Sequence, residues 1–134
     1  MRFFSMNELT RSDTAIKHNI ANVPNEEQKK NLIRLVEVIL DPLRQAYGKP
    51  IKVNSGFRSV AVNILVGGSK TSDHMTGCAA DITAGSVSEN KKLFKLIQDL
   101  KLPFTQLIDE KGMKWVHVSY NPSKPKQGQI LKIK

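Results

Sequence analysis

Ala79-Ala80-Asp81-Ile82-Thr83 and Trp115-Val116-His117-Val118-Ser119 both alternate in the manner of a strand with one face on a core. In the first, Asp81 shares a face with Ala79 and Thr83, while Ala80 and Ile82 take the other. In the second, Trp115, His117 and Ser119 lie together and Val116 and Val118 oppose them. A carboxylate and an imidazole therefore stand on polar faces of a sheet whose other face is apolar, and the small residues beside Asp81 leave room for an ion. His74 precedes this aspartate in Ser72-Asp73-His74-Met75-Thr76-Gly77-Cys78-Ala79-Ala80-Asp81. Gly77 lets the backbone turn so that His74 and Asp81 converge. Two imidazoles and one carboxylate form the ligand set of a catalytic zinc with an open position, which points to metal-assisted hydrolysis. The spacing is not the helix-face pair of H-E-x-x-H.

The first half of the chain has a helical period instead. The strongest pattern runs from about Asn25 to Tyr47, with Leu32, Leu35, Val36, Ile39, Leu40 and Leu43 on one stripe and Gly48 as its stop. Pro42 is expected to kink or restart it. Ser5 and Glu8 have capping-box spacing, another helix can start near Ser12-Asp13, and Asn63 to Val66 can form one ending at Gly67-Gly68. A further helix from about Val87 to Leu100 is introduced by a Ser86/Glu89 capping box and carries Leu93, Phe94, Leu96, Ile97 and Leu100. Strand-like stretches also occur at Ile51 to Asn54, Thr105 to Glu110 and Lys114 to Tyr120. Helices first and an antiparallel sheet after them give an α+β fold.

At 134 residues and 40% hydrophobic, the chain is expected to be one domain, residues 1–134, with a core that needs no disulfide. The lone Cys78 has no intramolecular partner and is read as a small buried filler, not a thiolate ligand; His18, in a polar stretch, is read as surface. Met1 to Glu8 turns polar too soon for a signal peptide, and no apolar run would span a membrane. We therefore expect no membrane insertion, a monomer and cytoplasmic synthesis. The excess of 21 Lys+Arg over 12 Asp+Glu, a formal charge of +9, favours polyanionic surroundings. Lys124, Lys126, Lys132 and Lys134 crowd residues 121–134, read as a solvated basic C-terminal tail. No aromatic residues interleave with these charges as they do where bases stack, so no nucleic-acid partner is expected.

Ser72-x-His74-x-x-Gly77-x-Ala79-x-Asp81, followed by Trp115-x-His117-x-Ser119, resembles the zinc D-Ala-D-Ala carboxypeptidase family, peptidase M15, especially its short phage- and bacterial-type members. Ser12-Asp13-Thr14-Ala15, Asp41-Pro42-Leu43-Arg44, Ser55-Gly56-Phe57-Arg58-Ser59, Asn63, Gly67-Gly68-Ser69 and Gln106-Leu107-Ile108 resemble the same group. The resemblance covers about residues 3 to 120. It implies the fold shared with the Hedgehog signalling domain, a small antiparallel sheet flanked by helices. It also implies zinc held by His74, Asp81 and His117 with water in the fourth position. At Cys78 relatives more often carry a polar or basic residue.

Asp109 and Glu110 compete for the role of general base. A two-residue hairpin turn at Lys111-Gly112 puts Glu110 on the face of Trp115 and His117, whereas a three-residue loop would put Asp109 there. Glycine at the second turn position favours the tight hairpin, related sequences place a glutamate about here, and Glu110 is therefore chosen. By resemblance, Arg58 would hold a substrate carboxylate or the developing oxyanion, which its forked donors suit, and Ser72 would bond substrate or orient the ligand loop. Ser119 and Tyr120 are weaker candidates behind them. The implied activity is zinc-dependent hydrolysis in peptidoglycan stem peptides, by a carboxypeptidase or an endolysin-type endopeptidase; with no signal peptide read at the N-terminus, the resemblance implies phage-type release to the cell wall after cytoplasmic synthesis. The rival reading is a non-catalytic zinc-dependent cell-wall binding module, against which both Glu110 and Arg58 argue.

Overall fold

In the computed structural model, which describes residues 1–134, helices occupy the first third of the chain. The short helix α1 (Met6–Thr10) begins at a complete Ser5/Glu8 capping box, and α2 (Asp13–Lys17) is capped by Ser12. The long apolar stripe folds as α3 (Glu26–Leu35), a π-helical turn (Val36–Leu40) and α4 (Asp41–Tyr47), closed by Gly48 at φ 76°. Pro42 does not break this rod. The wider turn, with the Asp41 N–H reaching the Val36 carbonyl, makes room for a ring that would clash in a regular helix. After β1 (Lys52–Ser55) and α5 (Val60–Leu65), a 3₁₀ turn (Asp73–Thr76) leads into β2 (Ala79–Thr83). The chain finishes with α6 (Val87–Asp99), β3 (Gln106–Glu110), β4 (Trp115–Ser119) and β5 (Gln129–Ile133). No helix is long and apolar enough to cross a membrane.

The five strands form one sheet in the order β1-β2-β4-β3-β5. Ala80, Ile82, Leu107, Val116 and Val118 point from one face into a core shared with Leu32, Leu35, Val36, Ile39, Leu40, Leu43, Leu93 and Ile97. The helices thus cover that face, and the polar members of the alternating strands are left on the other. Asp81 pairs directly with His117, and Ile108 lies beyond His117 on β3. A bulge in β1 between Val53 and Ser55 sets Ser55 opposite Asp81.

Three expectations need correction. The sheet is not wholly antiparallel, because β5 runs parallel to β3 along its free edge. The segment read as a solvated tail thus contains a strand; Gln129-Ile130-Leu131-Lys132-Ile133 does not alternate, because an edge strand meets solvent on both sides, and the lysines around it read as a tail. The Ser86/Glu89 box is half formed: Ser86 accepts from the Glu89 N–H, but the Glu89 carboxylate turns to Tyr47, Lys49 and Lys92. Those three partners hold Glu89 at a pKa of about 2, with the hydrogen bond from Lys49 the largest cause.

The third correction is the β3–β4 connection. Glu110 pairs with Trp115, so the loop comprises Lys111, Gly112, Met113 and Lys114, longer than the tight turn expected. Lys111, Gly112 and Met113 all have left-handed backbones, at φ 51°, 68° and 65°. The Asp109 carboxylate accepts from the Met113 N–H at 2.8 Å. Asn90, buried on α6, donates to the Met113 and Lys114 carbonyls at 2.9 and 3.1 Å. Lengthening the loop by two residues preserves strand parity, so Glu110 still shares the face of Trp115 and His117.

Gly77 is where the backbone demands glycine most. It ends the 3₁₀ turn at φ 79°, and a Cβ there would lie 2.5 Å from the Gln28 carbonyl oxygen. Gly77→Ala is expected to lower stability by about 1–3 kcal/mol in chemical denaturation and to displace His74, which the turn it closes carries.

Candidate active site

Three elements bring their side chains to one point. The 3₁₀ turn supplies His74, β2 supplies Asp81 and β4 supplies His117. Their ligand atoms lie within 4.8 Å of one another. His74 Nε2 is 3.3 Å and His117 Nδ1 3.0 Å from the same oxygen, Asp81 Oδ1. The two rings meet edge to face with centroids 5.1 Å apart.

The turn is built to aim His74. Ser72 caps it, its hydroxyl accepting from the His74 N–H at 3.2 Å. At the ring, Nδ1 lies 2.7 Å from the Gly56 carbonyl. A carbonyl only accepts, so Nδ1 carries the proton and Nε2 is the nitrogen presented to the cluster. Gly56 can approach so closely because it has no side chain; a Cβ there would overlap the Leu9 carbonyl.

Arg58 takes the other carboxylate oxygen. Its Nη2 lies 3.1 Å from Asp81 Oδ2, while Nε donates to Ser55 Oγ at 3.0 Å and Nη1 to Asn63 Oδ1 at 3.4 Å. Asn63 is buried and also donates to the Ser69 carbonyl. Burial alone would raise the Asp81 pKa, but the two imidazoles, by charge and hydrogen bonding, hold it well below the usual carboxylate range. Two imidazole nitrogens and a carboxylate oxygen aimed at one point, with water able to reach them from the cleft, fit a zinc ion with an open position.

All six residues expected at the site, Arg58, Ser72, His74, Asp81, Glu110 and His117, line one cleft of about 630 Å³. Burial, followed by the repulsion of Asp81, pushes the Glu110 carboxyl above its ordinary value. Asp109 is turned away to the β3–β4 loop. Cys78 is buried outside the cleft, and burial raises its thiol pKa. His18 is exposed. Ser119 is fully buried and accepts from the Gln106 N–H, so it supports the strand pairing without facing the cleft.

Ser55 and the Gly56 carbonyl were missed as supports of Arg58 and His74, and so was the Asn63 carboxamide. Their sequence signals are the run Ser55-Gly56-Phe57-Arg58 and Asn63, both part of the family resemblance, but their purpose depends on the bulge that follows Val53. Also missed was Asp73, 4% exposed, whose Oδ1 accepts from Asn121 at 2.9 Å and pairs with Lys124 at 3.1 Å.

Over 48 residues the chain is 58% identical to a protein of Streptomyces albus G named zinc D-Ala-D-Ala carboxypeptidase. That stretch covers 35% of this chain and 19% of the relative's length. A model of the peptidase M15 family matches residues 2–119, a span that contains the His-Asp-His cluster, Arg58, Ser72 and Glu110. By the extent of that match, the chain belongs to the peptidase M15 family.

Proposed function

We propose that this protein is a zinc metallopeptidase that hydrolyses a peptide bond in the stem peptides of peptidoglycan. The observation that carries the reading is the convergence of His74, Asp81 and His117 in a cleft that also holds a half-buried carboxylate and a guanidinium. His74, Asp81 and His117 would hold the ion. When bound, zinc supplies Lewis acidity toward the scissile carbonyl and the attacking water.

The chain's own residues supply the rest. Glu110 accepts the proton of the attacking water and passes it to the leaving amine; its raised pKa brings it closer to the operating pH, where such transfers are efficient. Arg58 offers its remaining N–H groups to the developing oxyanion or to a substrate carboxylate, held in place by Ser55, Asn63 and Asp81. Ser72 orients the ligand turn. The name of the Streptomyces relative supports a cell-wall peptide as substrate, and a net charge of +9 favours an anionic wall. Glu110 and Arg58 in the cleft favour turnover over a role as a binding module.

Mass spectrometry of peptidoglycan stem peptides, incubated with zinc-loaded and with chelated protein, tests the proposal. Metal-dependent loss of a terminal alanine is the carboxypeptidase outcome. An internal cut is the endopeptidase outcome and identifies the bond. Intact stems in both samples would overturn the peptidase reading.

A further inference from the structure

One wall of the cleft lies outside the family match, which ends at residue 119. It is β5, aligned with β3 so that Leu131 lies beside Ile108 and Ile133 beside Glu110. Side chains alternate along a strand. Leu131 and Ile133 therefore stand on the face of Glu110 and His117, while Ile130 and Lys132 take the opposite one. Both residues line the cleft that contains the metal-ligand cluster. They are 40% and 46% exposed, whereas Ile82, Leu107, Val116 and Val118 of the neighbouring strands are fully buried. Branched apolar surface is thus open to a ligand beside the general base.

The wall is fixed in position at both ends. At the far end the Lys111 N–H donates to the Ile133 carbonyl at 2.8 Å, and at the near end the Gln129 N–H donates to the Thr105 carbonyl at 3.0 Å. The segment leading to β5 is tied to the ligand turn itself, because Asn121 and Lys124 both bond Asp73, the neighbour of His74. Lys111 and Lys124 also line the cleft, so cations and aliphatic surface are presented together. That combination matches a peptide that carries carboxylates and small aliphatic side chains.

We propose that β5 is a specificity wall, in which Leu131 and Ile133 receive the aliphatic side chain of the substrate residue adjoining the scissile bond. The inference rests on the peptidase reading above, and binding can be followed apart from turnover. Zinc-loaded Glu110→Gln protein with labelled Leu and Ile methyl groups is titrated with an alanine-containing stem pentapeptide. The expected result is saturable shifts of the Leu131 and Ile133 methyl resonances, with contacts to a peptide alanine methyl. In the protein that retains Glu110, Ile133→Thr keeps the β-branch and the zinc content and is expected to lower kcat/KM for the stem peptide about tenfold. Saturable binding that shifts signals around His74 and His117 but leaves both methyls unmoved overturns the wall and leaves the peptidase reading standing. An unchanged kcat/KM in Ile133→Thr overturns the wall likewise. A peptide that is neither bound nor cut overturns both.

Discussion

Glu110→Gln is expected to bind zinc with the stoichiometry of the native protein and to hydrolyse stem peptides roughly 10²- to 10⁴-fold more slowly. The substitution keeps size and hydrogen bonding on β3 but removes the proton acceptor. Metal analysis of the purified variant, together with cleavage followed by mass spectrometry, separates loss of chemistry from loss of the ion. Unchanged hydrolysis would exclude Glu110 as the base. The same variant has a second signature in the metal-free protein. A carboxyl whose pKa is raised by folding binds protons better in the folded chain, so the wild type loses stability as pH rises from the ordinary value of 4.5 through the raised one. Glutamine has no such loss. Thermal melts of metal-free protein are therefore expected to show Glu110→Gln gaining on the wild type across that window and keeping its advantage at neutral pH.

Asp81→Ala is expected to abolish stoichiometric zinc binding and to destabilise the metal-free fold by about 3–5 kcal/mol. The carboxylate is the counter-charge of Arg58, and the two side chains are 9% and 15% exposed. Removing it leaves a mostly buried guanidinium bonded only to the neutral oxygens of Ser55 and Asn63. Denaturant titration of the chelated variant and wild type measures the cost. Arg58→Ala in the Asp81→Ala background tests its origin: if the stranded cation is responsible, the double variant recovers part of the loss. A metal-free Asp81→Ala protein as stable as the wild type would show that the ion pair contributes nothing to holding the cleft together.

The ligand cluster was legible because alternation in a strand is a strict rule. Once Val116 and Val118 belong to the core, His117 has only one face to occupy, and the same holds for Asp81 between Ala80 and Ile82. The choice of Glu110 over Asp109 rested on a hairpin that does not form. Glu110 nonetheless shares the face of Trp115 and His117, because the loop Lys111 to Lys114 has the same parity as the tight turn expected. What the sequence hid is long-range. The bulge after Val53 exists only against β2, and the half-formed capping box at Ser86 reflects the pull of Tyr47 and Lys49, far away in the chain. β5 was hidden by composition, since lysine and glutamine are what an edge strand needs and also what a disordered tail contains.

The left-handed run at Lys111, Gly112 and Met113 has a consequence for motion. Two of the three are not glycine, and such residues pay roughly 1–2 kcal/mol each to hold that conformation. The loop therefore has little stability of its own and depends on Asn90 of α6 and on Asp109, which hold its backbone. Its amides should exchange with solvent through brief local openings, at rates well above those of β2 and β4, which exchange only when the whole sheet comes apart. Glu110 sits at the boundary between these two regimes, so the proposed proton acceptor is attached to rigid sheet on one side and to a loop of low intrinsic stability on the other.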